Sequence, residues 1–142
     1  SVPTVAWVRD TARALGLVRL HKGRLSPTVA AKRVGQDPQA LLRHIADRLP
    51  VGTDAFDRAA GWLSLAVAGS GSPEAAWSKD VSVLLYLAGW ESGTERFTPP
   101  SAHNPTLVVL SLLNGEARRG WRQAADVDPA LAAAARRAIP RA

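Results

Sequence analysis

The 142-residue chain has no cysteine and no methionine, and only three of its 18 Lys/Arg residues (Lys22, Lys32 and Lys79) are lysine. Without cysteine there can be no disulfide framework, thiolate nucleophile or zinc–thiolate site. The longest apolar stretches run to about ten residues, where a membrane span needs roughly 20, so no membrane association is expected. The N-terminus has no charged segment leading into an apolar one, so no signal peptide is expected and a cytoplasmic location is the default. With no methionine even at position 1, Ser1 reads as a processed or cut end, which suits a fragment of a larger protein. The excess of arginine and alanine is a common bias of GC-rich genomes and weakens the meaning of any single arginine.

What the chain does contain is globular material. Hydrophobic residues make up 46%, and Trp7, Trp62, Trp77, Trp90 and Trp121 offer bulky core side chains, so disorder is not expected. The length suits one domain, 1–142. It divides into candidate sub-units at 1–50 (helix, hairpin, helix), 51–103 (central apolar helices) and 104–142 (a second helix, hairpin, helix). Charge follows the same division. Residues 1–50 hold nine basic and three acidic groups, residues 51–115 three and six, and residues 116–142 six and three. The ends are cationic and the middle is not, which points to an anionic partner for the ends.

Proline marks the helix starts. Ser26-Pro27, Asp37-Pro38, Ser72-Pro73, Asn104-Pro105 and Asp128-Pro129 each pair a capping side chain with a residue that lacks the N–H a first turn cannot use. Thr53-Asp54 is a sixth start, with Asp57 favourable in the first turn. Apolar spacing then predicts helices. Residues 4–15 place Val5, Val8, Ala12 and Leu15 on one face. A short helix runs from Pro27 to about Val34, and 38–49 buries Leu41, Leu42, Ile45 and Leu49. Segments 54–68 and 73–90 are apolar over most of their circumference, which predicts central positions in a bundle. Helix 105–114 ends at Gly115 as a C-cap, helix 129–139 ends at Pro140, and 91–103 is a long loop. Leu17 to Leu25 alternates around Gly23, which predicts a short β-hairpin; Trp121 to Val127 is a poorer second one. The expected fold is mainly α, a compact helical bundle with one or two short hairpins.

The two ends are similar to each other. Leu15-Gly16, a basic hairpin, and a helix containing Ala30-Ala31-Lys32-Arg33 are echoed by Asn114-Gly115, an arginine-rich turn, and a helix containing Ala134-Ala135-Arg136-Arg137. The first unit, residues 4–34, resembles the C-terminal half of a winged-helix domain, a recognition helix running into a two-stranded wing. Gly16-Leu17-Val18 matches the wing's start, Gly23 its turn, and Leu25 with Thr28 its exit. Ala31 stands where that family commonly has glycine, Ser26-Pro27 interrupts the exit, and the first two helices of the motif have no counterpart. The chain as a whole also resembles arginine- and alanine-rich actinobacterial proteins, which implies no function.

The winged-helix resemblance implies that Arg9 and Arg13 face a DNA groove and that His21, Lys22 and Arg24 touch phosphates from the wing, with Arg33 on the following helix. Guanidinium groups suit both tasks, through bidentate bonds to base edges and neutralisation of backbone charge. Ordinary solvated arginines on a helix and a hairpin tip explain the same pattern without a ligand. In the second unit, Thr106 to Leu113 has almost no polar face and is expected to be buried, which leaves Arg118, Arg119 and Arg122 to approach a phosphate.

Catalytic signatures are missing. His21, His44 and His103 have no ligand spacing to one another, and His44 is expected on the solvent side of its helix beside Arg43. Asp54 and Asp57 are explained by capping and dipole needs. Gly69-Ser70-Gly71-Ser72 lacks the Gly-Lys-Ser/Thr ending of a phosphate loop and reads as a turn between two helices. No enzyme activity, cofactor or metal is expected. Two readings remain: a nucleic-acid-associated domain acting through its basic N-terminal third, or a non-catalytic module binding another protein or a domain of its own parent chain. An exposed apolar patch bearing a tryptophan, with Trp7 the candidate, distinguishes the second.

Overall fold

Side-chain caps written into the sequence start most helices of the computed structural model, which describes residues 5–91, 100–117 and 126–140. The elements run α1 (Val5–Ala14), β1 (Val18–His21), β2 (Arg24–Pro27), α2 (Val29–Val34), α3 (Pro38–Ala46), α4 (Ala55–Gly69), α5 (Glu74–Leu87), α6 (Pro105–Ala117) and α7 (Pro129–Ala138). Asp37 accepts from the Gln39 and Ala40 amides, Asp54 from Asp57, Asn104 from Leu107 and Asp128 from Ala130. The architecture is mainly helical, with one short antiparallel hairpin among the described residues. The second predicted hairpin and Arg118, Arg119 and Arg122 fall outside those residues.

Two predicted caps work differently. Pro27 closes β2 opposite Val18, at the end of the ladder where a missing N–H costs little, and α2 begins at Thr28 instead. Thr28 Oγ1 accepts from the Ala31 amide at 3.0 Å and donates to the Gly16 carbonyl at 2.7 Å, joining helix start to hairpin base. At Ser72-Pro73 the proline occupies the cap position. Ser72 is occupied elsewhere: its hydroxyl donates to Asp80 at 3.3 Å and its carbonyl accepts from Trp77 Nε1 at 2.7 Å. Gly115 is not a C-cap, since α6 continues through it to Ala117.

The core gathers around α4, which packs against α5, α6 and α7. Ala60, Leu65 and Ala68 are wholly buried there, and Leu110 from α6 and Leu131 and Ala135 from α7 complete the same cluster. Gly61 permits the closest approach. A Cβ at that position would lie 2.5 Å from Pro50 Cβ and 2.8 Å from Thr106 Oγ1. Thr106 Oγ1 in turn accepts from the Val51 amide at 3.0 Å, so the segment after α3 is sewn to α6 across α4. Buried polar groups are paired. Ser64 donates to the Ala60 carbonyl and accepts from Asn104 Nδ2 at 3.1 Å. Asn114 Nδ2 donates to Glu74 at 3.0 Å while its Oδ1 accepts from the Asp128 amide at 2.9 Å, which ties α5, α6 and α7 together.

The central position predicted for both 54–68 and 73–90 holds only for the first. In α5 just one stripe is covered, Trp77, Val81 and Leu85, spaced four apart. Val83, Tyr86 and Leu87 face outward, Leu87 with 73% exposure, because α4 is the main neighbour α5 has. The apolar face predicted for 4–15 is also mostly uncovered: Val5 and Val8 are exposed and Leu15 alone is buried.

Candidate nucleic-acid interface

The hairpin end is organised by its turns. Helix α1 stops at Gly16, whose φ of +69° only glycine adopts without strain. The Gly16 amide donates to Arg13 O and the Leu17 amide to Ala12 O, the paired bonds of a Schellman motif. The chain therefore reverses directly into β1. The hairpin turn is Lys22-Gly23, both with positive φ, as a two-residue loop between right-twisted strands requires. Asparagine or glycine suits the first of these positions best, and a lysine there carries a backbone cost of about 1 kcal/mol.

Strand register sorts the hairpin into two faces. Arg19 lies opposite Ser26 and His21 opposite Arg24, while Val18 pairs with Pro27 and Leu20 with Leu25. Paired residues share a face and successive residues alternate. One face thus carries Arg19, His21 and Arg24, with Lys22 at the tip, and the other carries Leu20 and Leu25. Arg19 Nε donates to Ser26 Oγ at 3.4 Å. Arg19, His21, Lys22 and Arg24 are all exposed.

The other predicted site residues flank this tip. Arg9 and Arg13 stand one turn apart on α1, which packs against β1. Arg9 pairs with its neighbour Asp10 at 3.2 Å, so part of its charge is already answered. Arg33 is exposed in the last turn of α2, on a separate element from the tip. Residues 5–36 hold seven Lys/Arg and one acid, with none from Thr11 to Gln36. Among the described residues, Arg9–Asp10 is the ion pair formed in this region. Arg19 and Lys32 belong to the same cationic set and were missed by the sequence reading. Arg19 was legible, since it shares the strand parity of His21.

His44 is corrected. It is buried, not on the solvent side, and its Nε2–H donates to the Leu15 carbonyl at 2.8 Å. That carbonyl belongs to the last, unpaired turn of α1, so the histidine fastens the α1–hairpin unit to α3. Arg48 Nη1 donates to the His44 carbonyl at 3.0 Å on the same side. Trp7, the candidate for an exposed apolar patch, is half-buried against the core and lines a small apolar groove with Val8, Leu17, Leu112 and Leu113, of which Val8 and Leu112 are exposed.

Elsewhere, Asp57 has its pKa raised above the ordinary carboxylate value by burial and by the neighbouring Asp54, with His103 opposing. Asp54 caps the same helix turn at 2.7 Å, and His103 is exposed before the cap Asn104. No cluster of three His, Asp or Glu able to hold a metal occurs among the described residues, and no helix of theirs is long and apolar enough to cross a membrane. Comparison with protein-family models, curated protein sequences and solved structures gave no match, so the reading of this chain rests on its own residues.

Proposed function

We propose that the chain is a nucleic-acid-associated domain that holds duplex phosphates with its α1–hairpin unit. The observation that carries this reading is the hairpin's polar face. Arg19, His21 and Arg24 share it, Lys22 sits at its tip, and from Thr11 to Gln36 there is no carboxylate to neutralise them. A structural role does not account for Lys22, because its backbone conformation favours asparagine or glycine. Phosphate contact does, since it rewards a projecting cation. Arg9 and Arg13 on α1 extend the surface, in the place where a winged-helix resemblance puts a recognition helix. Contacts of this kind position a protein on DNA without selecting sequence.

Fluorescence anisotropy with a random-sequence duplex tests the reading. Nonspecific binding of this kind has a Kd of about 10⁻⁴ to 10⁻⁶ M at physiological salt, tighter at low salt. Four phosphate contacts predict a loss of roughly 100-fold between about 50 and 200 mM salt. Absence of binding at the lower salt sinks the proposal.

A second reading has its own observation. The opposite hairpin face presents Leu20 and Leu25, each 49% exposed, and Val29 follows at 79%. These residues suit a protein partner or a parent-chain domain lying against the hairpin. Under that reading, Leu20→Ser with Leu25→Ser abolishes partner binding and leaves duplex binding intact.

A further inference from the structure

We propose that the cleft between α3 and α7 binds a small organic phosphate, held by Arg43, Arg136 and Arg137. The three arginines line a cavity of about 710 Å³, within the size range of pockets that hold small ligands. Arg43 comes from the last turn of α3, and Arg136 and Arg137 from the last turn of α7, which packs against α3. Among the described residues, Asp47 is the single acid of the lining, and none of the three arginines forms an ion pair with a carboxylate.

Arg136 is positioned in advance. Its stem lies on Gly69, where a Cβ would come within 2.9 Å of Arg136 Cγ, and its Nη1 donates to the Gly69 carbonyl at 2.6 Å. That bond uses one of five guanidinium donors and restrains the group, leaving the others open to an anion. A planar guanidinium held this way favours a phosphate or carboxylate with two acceptor oxygens. Ala133 and Ile139 supply an apolar wall, which suits a phosphate carried on an organic body better than the free ion. Cations in the last turns of α3 and α7 also complement the helix dipoles. That role calls for neither a cavity nor a second arginine beside Arg136. The site shares no residue with the N-terminal interface, so either proposal stands or falls without the other.

An NMR titration of the full chain with AMP, adenosine and inorganic phosphate tests the site through the arginine Nε–H signals and the amides of α3 and α7. AMP is expected to saturate these signals at millimolar concentration or below, inorganic phosphate to move the same signals more weakly, and adenosine to leave them unchanged. Arg43→Gln with Arg137→Gln should weaken AMP binding by about tenfold or more. Both side chains are exposed, so the thermal midpoint should stay within a few degrees. Neutralising Arg13, Arg19, Lys22 and Arg24 should leave AMP binding unchanged. The proposal is overturned if AMP does not saturate, if the double variant binds it as tightly as the parent, or if duplex DNA displaces it. The last result would assign the arginines to a nucleic-acid backbone.

Discussion

The hairpin end of the molecule and the helices around α4 divide two tasks between them. From residue 5 to 36 a single side chain, Leu15, is buried, and the segment carries seven basic groups against one acid. From Ala60 to Gly69 seven residues are buried and none is charged. The first region is held by turn geometry, by Thr28 at the hairpin base and by His44 on Leu15 O, with little apolar area removed from water. The second is held by close packing. A region that contributes little to the core is free to carry uncompensated charge, and a region that forms the core cannot.

Four substitutions separate these terms. Leu110→Ala, in the fully buried part of α6, should cost about 2–5 kcal/mol by urea unfolding. His44→Ala leaves the buried Leu15 carbonyl without its donor and should cost about 1–3 kcal/mol. It should also speed hydrogen exchange in α1 and the hairpin more than in α4, and equal acceleration in both would mean that the two regions open as one. Asp57→Asn gives a smaller, pH-dependent effect. The raised pKa means that the folded protein keeps this proton to higher pH than the unfolded chain. Stability therefore falls as pH rises from the ordinary carboxylate value through the folded one, and stays lower above it. The variant should melt above the parent at pH 7, and the two should converge at acid pH, as read by calorimetry. Val29→Ser, at a 79% exposed position, should change stability by no more than about 0.5 kcal/mol. A loss well above that would show the hairpin end to be packed more tightly than its exposure indicates.

Much of the helical skeleton was legible because it is local. The Asp37, Asp54, Asn104 and Asp128 caps act within three residues of themselves, and the hairpin turn is set by Gly23 and strand alternation. What the sequence misplaced depends on distant partners. His44 looks polar beside Arg43, yet it is buried because an unpaired helix carbonyl 29 residues earlier lies against it. The apolar circumference of 73–90 suggested a central helix, whereas the fold covers one stripe of it. Ser72 fails as a cap because Trp77 and Asp80 engage it, contacts that composition does not announce. Of the candidate interface, His21, Lys22 and Arg24 follow from the turn. Arg19 needed only the strand parity. The α3/α7 cleft joins arginines from opposite ends of the chain, and no local pattern predicts it.

The salt dependence of duplex binding, compared across three proteins, tests the division of tasks most directly. Each phosphate contact contributes a slope of about −0.9 in log K against log salt. The parent should show a slope of roughly −3 to −4, and a variant with Arg13, Arg19, Lys22 and Arg24 changed to alanine should lose most of it. Arg43→Gln with Arg137→Gln should leave the slope unchanged. If the hairpin variant keeps the parent's slope, or the α3/α7 variant loses it, the hairpin end is not the surface that meets nucleic acid.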